Sequence, residues 1–221
     1  MKKVVTQYLE LLSLSGIDFL RKPEQPVVPE LSPENKGELL SQLRTQYSNC
    51  ELCELHLGRT HFVYGNGNPD ARLMLIGEGP GEQEDLSGNV FVGPAGQLLT
   101  KMLLAINLNR DDVYICNIVK CRPPGNRNPL PEEAKACEKY LQEQIRIIKP
   151  EFILLLGRVA AHNMLNTTSS LSQMRGKTFS IGDATAIVSY HPSALLRSPG
   201  LKKDAWIDLQ RLRDMMGIST D

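Results

Sequence analysis

Residues 77–96 read GEGPGEQEDLSGNVFVGPAG, with six glycines, six acidic or amide side chains, one phenylalanine, and neither lysine nor arginine. A loop that cradles a triphosphate needs a lysine followed by Ser or Thr, and a dinucleotide fingerprint needs glycines that lead directly into a helix. Here EQEDLSGNVFVG intervenes before the helix expected near Pro94, so both nucleotide readings are weak. What the stretch offers is close backbone approach at Gly79, Pro80 and Gly81, carboxylates at Glu78, Glu84 and Asp85, and one flat ring at Phe91. That set suits a planar, neutral ligand with a water beside it.

Two further side chains fit such a ligand. Asn117 follows the apolar run VYIC, and a side-chain amide both donates and accepts, so it can read the paired donor and acceptor of a uracil-like edge. His191 follows VSY and precedes Pro192 and Ser193. A histidine there either caps the next helix or donates a hydrogen bond to a developing anion. Taken singly, an asparagine at such a strand end is usually a turn or cap residue, and Phe91 is more often core than stacking platform.

The cysteines carry a second chemistry. Cys50 and Cys53 form a C-x2-C pair, Cys121 and Cys137 have 15 residues between them, and Cys116 sits mid-run as a packing residue. Four thiolates hold either zinc or an iron-sulfur cluster, and spacing alone does not choose between them; His56 is a substitute ligand in the zinc case.

These residues need a scaffold. Four strand-length apolar runs, at 71–77, 113–119, 151–157 and 185–190, alternate with helix-like segments at 95–106, 130–148, 158–165 and 202–216. Alternation of this kind predicts an α/β fold, a three-layer αβα arrangement around a central four-stranded parallel sheet. Ligands bind beyond the carboxyl ends of such strands, where Glu78, Asn117 and His191 all fall. Ahead of this lies an amphipathic stretch, residues 1–20, and a linker over 21–37 with four prolines, so the expected organisation is an N-terminal helical extension over 1–44 and a catalytic domain over 45–221.

The 221 residues fit one domain, with formal net charge zero and pI near 6.9, so any nucleic-acid contact must come from a local basic patch. Five cysteines point to a reducing, cytoplasmic setting. The basic start imitates a signal peptide, but Gln7, Glu10 and Asp18 interrupt its apolar run, and no run approaches the roughly 20 residues that span a bilayer.

Taken together, CELC, GEGPGEQEDLSGNVFVGPAGQLL, NIVKCRPPGNRNP with EEAKAC, and HPSALLR, in that order, make the chain resemble the family 4 uracil-DNA glycosylases, the iron-sulfur type, over about residues 45–215. The resemblance implies a DNA repair hydrolase that flips uracil out of DNA and cleaves its N-glycosidic bond, leaving an abasic site. It implies a structural 4Fe-4S cluster on Cys50, Cys53, Cys121 and Cys137, and no nucleotide or nicotinamide cofactor. Phe91 would stack on the uracil, Asn117 would read its edge, and His191 would stabilise the departing base. Glu78 and Glu84 are the candidates to position water, with Glu84 alternatively crowding the methyl group of thymine; Gly79, Pro80 and Gly81 line the base. In HPSALLRSPGLKK, Ser193 belongs to the DNA surface, Leu195 or Leu196 is the wedge that fills the vacated stack, and Arg197, Lys202 and Lys203 meet phosphates; Arg122 and Arg127 extend the positive rim. No lysine is placed for a Schiff base, so the expected enzyme is monofunctional.

The expected partner is uracil-containing DNA, with no membrane; a sliding clamp or other repair proteins are further candidates, and the expected state is a monomer. The competing readings are a glycosylase of the same superfamily for hypoxanthine or xanthine, and a non-catalytic DNA-binding or polymerase-associated module.

Overall fold

Each of the four apolar runs forms a strand because its side chains are buried on both faces, which a sheet covered by helices requires. In the computed structural model, which describes residues 35–219, these strands are β2 (Leu73–Gly77), β3 (Tyr114–Asn117), β4 (Phe152–Leu156) and β6 (Ala184–Ser189), all parallel. Two short antiparallel strands complete a six-stranded sheet of order β1-β3-β2-β4-β6-β5: β1 (Asn66–Gly67) on β3 and β5 (Thr178–Ile181) on β6. These edge strands are additions to the four expected from the sequence. β1 is only two residues long, and β5 alternates exposed and half-buried residues.

The helices are α1 (Lys36–Tyr47), α2 (Glu82–Ser87), α3 (Pro94–Leu104), α4 (Pro131–Ile148), α5 (Gly157–Leu165), α6 (Leu171–Met174), α7 (Pro192–Arg197) and α8 (Lys202–Met216). Successive strand side chains point to opposite faces. Leu73, Leu75, Ile115, Leu154, Leu156 and Ile187 accordingly share one core cluster with Leu99 and Leu103 of α3 and Leu209 and Leu212 of α8. The intervening Met74, Ile76, Ile153, Leu155 and Val188 are buried on the other face, where α5 packs on β2 and β4. The three-layer expectation holds.

The expected helix over 1–20 and most of the linker lie outside the described residues, which belong to one compact unit. The boundary expected at residue 44 falls inside α1. That helix is fastened to α4 by Tyr47, whose hydroxyl donates to Glu143 (3.1 Å) and whose ring lies 4.5 Å from that of Tyr140, and by Lys36, which donates to Ile148 O (3.1 Å).

The order of connection places the site. From β2 the chain moves to β3 on one side, then crosses to β4 on the other. A crevice opens above the strand ends at such a reversal. Gly77 and Asn117 are register partners at the tips of β2 and β3, as Leu156 and Ser189 are at the tips of β4 and β6.

Candidate active site

A cleft of about 460 Å³ opens at these tips, and Glu78, Phe91, Asn117, Arg158, Tyr190 and His191 are among its lining. Gly79, Pro80 and Gly81 form its floor beside Glu78, as the sequence predicts. Asn117 is 1% exposed, and its Oδ1, in the assigned amide orientation, has no hydrogen-bond partner among the described residues. A buried acceptor without a partner costs about 1–3 kcal/mol, a penalty that a ligand donor would remove. Its backbone is fixed from behind: the fully buried Lys120 donates from Nζ to Asn117 O (2.9 Å) and to Gln144 Oε1 (2.6 Å).

His191 takes the first of the two roles foreseen for it, the helix cap, and lines the cleft. As N-cap of α7 its Nδ1 accepts from Ser193 N (3.2 Å) and pairs with Ser193 Oγ (2.8 Å). A backbone N–H only donates, so Nδ1 is the unprotonated nitrogen and the neutral ring carries its proton on Nε2. Burial, with Arg197 nearby and Glu84 opposing, lowers the His191 pKa to about 4. The ring is therefore a neutral donor, 5.5 Å from the Phe91 ring. Ser193, expected at the DNA surface, is half-buried in the cleft lining and turns its hydroxyl and backbone N–H to His191.

Phe91, the expected stacking ring, lines the cleft while 6% exposed and packed in the core cluster, and its backbone is in the left-handed region, with φ 50. Gly77 makes room for it: a Cβ there would lie 2.7 Å from Phe91 Cζ and collide with Asn117 Oδ1.

The two candidate carboxylates differ. Glu78 lines the cleft with burial pushing its carboxyl above the usual range, an effect opposed by Arg158 and Arg197. Glu84 sits in α2, a helix inside what reads as a glycine-rich loop, and its Oε1 accepts from Val92 N (2.7 Å) and Gly93 N (2.8 Å) at the start of α3. Glu84 is therefore partly committed to the backbone. Asp85, also named in the sequence, is a buried anchor that accepts from Thr60 N (2.9 Å) and His61 N (3.3 Å) and lies outside the cleft lining.

On the outer rim, Leu195 corrects the sequence reading: it is 2% exposed and packs in the core cluster, so it is no wedge. Its neighbour Leu196 is 45% exposed. Arg197, Lys202 and Lys203 are exposed around the start of α8. Arg127 is held in a two-pronged pair with Glu133 (2.8 and 2.6 Å), and Arg122 donates to Asn126 Oδ1 (2.8 Å), so neither is a free rim cation. Arg158 is exposed at the cleft and was passed over in the sequence, though it follows the fourth strand end by the same rule that found the other three.

A family model described as the uracil DNA glycosylase superfamily matches residues 64–210. A type-4 uracil-DNA glycosylase of Archaeoglobus fulgidus is 40% identical over 188 residues, 81% of this chain and 94% of the relative. The chain belongs to the uracil-DNA glycosylase superfamily. Among its type-4 relatives, that of Thermotoga maritima is 46% identical over 165 residues (74% of this chain, 86% of the relative) and that of Sulfurisphaera tokodaii 42% over 185 (80% and 84%).

The type-4 relatives bring the cysteines back into view. Cys50, Cys53, Cys121 and Cys137 are all free thiols; burial pushes the thiols of Cys121 and Cys137 up, opposed by Arg59 at the first and Lys120 at the second, with smaller upward contributions from Cys53 and Cys50 at Cys121 and from Cys121 and Cys53 at Cys137. Arg59 Nη1 donates to Cys121 Sγ (3.3 Å) and Lys120 N to Cys137 Sγ (3.3 Å). Four neighbouring sulfurs with N–H donors aimed at two of them fit a thiolate-held cluster, since such donors offset thiolate charge. Among the described residues no group of three or more His, Cys, Asp or Glu is placed to hold a single metal ion. Cys116 is fully buried in β3, a packing residue as expected. Among the described residues no helix is long and apolar enough to cross a membrane.

Proposed function

We propose that this chain removes uracil from DNA by hydrolysing the N-glycosidic bond, with the extruded base seated in the cleft at the tips of β2, β3 and β6. Phe91 stacks on the base. The Asn117 amide accepts from the ring N–H of uracil and donates to the adjacent carbonyl; cytosine offers an acceptor where uracil offers that N–H, so it leaves the amide mismatched.

As the bond between C1′ and the base nitrogen breaks, its electron pair leaves with the base and positive charge develops on deoxyribose. The neutral His191 donates from Nε2 to the base as it becomes an anion, and Glu78 stabilises the sugar and orients a water. The water oxygen bonds to C1′, its proton passes to Glu78 or solvent, and the base anion is protonated on release. Glu84 holds the loop. Leu196 fills the vacated stack, while Arg158, Arg197, Lys202 and Lys203 meet the backbone phosphates.

When bound, a 4Fe-4S cluster on Cys50, Cys53, Cys121 and Cys137 supplies a covalent tie between distant segments. Cys121 would thereby tie down the loop whose Pro123, Asn126 and Asn128 line the cleft. The catalytic domain begins with α1, and the free thiols suit a reducing, cytoplasmic setting.

The observation that carries this reading is the unpartnered Asn117 amide, facing the Phe91 ring within a cleft also lined by neutral His191. Anaerobically purified protein, incubated with a labelled oligonucleotide carrying one deoxyuridine and then treated with alkali, should cut at uracil and spare thymine and cytosine controls. A brown, folded protein that leaves uracil in place would overturn the reading.

A further inference from the structure

Phe91 has a backbone conformation that an aromatic residue adopts only where its surroundings impose it, with φ 50. Four polar groups of the short segment around it are held from two directions. Arg110, in the turn before β3, donates from Nη1 to Phe91 O (3.0 Å) and from Nη2 to Val90 O. From the other side Glu84 Oε1 accepts from Val92 N (2.7 Å) and Gly93 N (2.8 Å). Two carbonyls and two N–H groups in succession are thus satisfied by one guanidinium and one carboxylate. Gly96 completes the fit, because a Cβ there would overlap the Phe91 carbonyl.

We propose that Arg110, outside the cleft and outside every site motif, is the positioning residue that fixes Phe91 for stacking on the base, with Glu84 as the opposing jaw of the same clamp. Arg110 is half-buried, and its side-chain hydrogen bonds among the described residues go to the two loop carbonyls. A guanidinium suits that task, because its rigid fork engages two acceptors together, whereas a lysine reaches them as a single point charge. The ring it directs lies over Gly77 and beside His191. The inference rests on the uracil-stacking role given to Phe91 above.

The test is a double-mutant cycle on single-turnover uracil excision, using the full chain with its iron content and melting temperature measured in parallel. Arg110→Met should lower excision by about ten- to a hundredfold, as a small misplacement of a substrate-positioning group does, and Arg110→Lys by less. In a Phe91→Ala background, Arg110→Met should change the rate by less than about twofold, because both changes remove the same ring position. A merely structural arginine would give losses that multiply, and that outcome, or a wild-type rate in Arg110→Met, overturns the proposal. If Arg110→Met does not fold, Arg110→Lys carries the same cycle with the same criteria. If the wild-type protein excises no uracil, the preceding reading fails. Amide exchange at Val92 and Gly93 then decides the clamp, faster exchange in the variant supporting it and unchanged exchange overturning it.

Discussion

The two ends of the glycine-rich stretch serve opposite purposes. At the near end, Gly77–Gly81, the chain leaves β2 with its one long side chain, Glu78, lining the cleft beside the open Asn117 amide. At the far end, Glu84–Gly93, one oxygen of the Glu84 carboxylate, two N–H groups and two carbonyls are paired. One end leaves the Glu78 carboxylate for a ligand; the other holds the backbone around one ring. Two carboxylates six residues apart in a single motif are therefore not interchangeable. Chemistry calls for an acid that is unpaired and destabilised, positioning for one that is paired.

The widest expected separation between the ends comes from Glu78→Gln, which should lower excision by about a hundred- to a thousandfold while leaving the melting temperature unchanged or raised. Burial disfavours the charge it removes. Equal losses from Glu78→Gln and Glu84→Gln would erase the distinction.

Next in size is Gly77→Ala, whose Cβ would meet both Asn117 and Phe91; a roughly tenfold or greater loss of excision at normal iron content is expected. Glu84→Ala, which removes the other jaw of the clamp, should lower excision by about tenfold and also cost about 0.5–2 kcal/mol in urea denaturation, because it leaves Val92 N and Gly93 N without their acceptor. Glu84→Gln, which keeps one, should lose less.

The smallest effect is in pH dependence. Glu78 must be ionised, and its raised pKa puts the acid limb of the excision rate above the 4.5 of an ordinary glutamate; Glu78→Gln should flatten that limb. His191, neutral down to about 4, should add no step near 6.5. It does affect stability: between pH 4 and 6.5 the unfolded chain binds more protons at this residue than the folded one, so its contribution rises with pH across that window. Urea midpoints at pH 4.5 and 7 should differ less in His191→Gln than in the wild type.

The parallel strands were legible because continuous burial leaves a continuous apolar run, and the strand-end rule then picked out Glu78, Asn117 and His191 in advance. The parts that escaped have physical reasons. The helix α2 hides between glycines, since its six residues are too few to show a helical period. The edge strands are too short or too exposed to pattern. Leu195 and Leu196 look alike in sequence, and only the register of α7, about 100° per residue, decides which one meets the core. Arg110 leaves no mark at all: it belongs to no motif, and its partners are backbone carbonyls 19 and 20 residues back.

Gly77 and Gly96 bear on how such a chain can change over generations. The first leaves space for the edge of the Phe91 ring, the second for its carbonyl. Neither touches a substrate atom in the proposed reaction, yet a single added methyl group at either would reshape the place where the base rests. Lineages that keep this ring in this pose are therefore barred from alanine at both sites, while the exposed faces of α1 and α4 are free to drift.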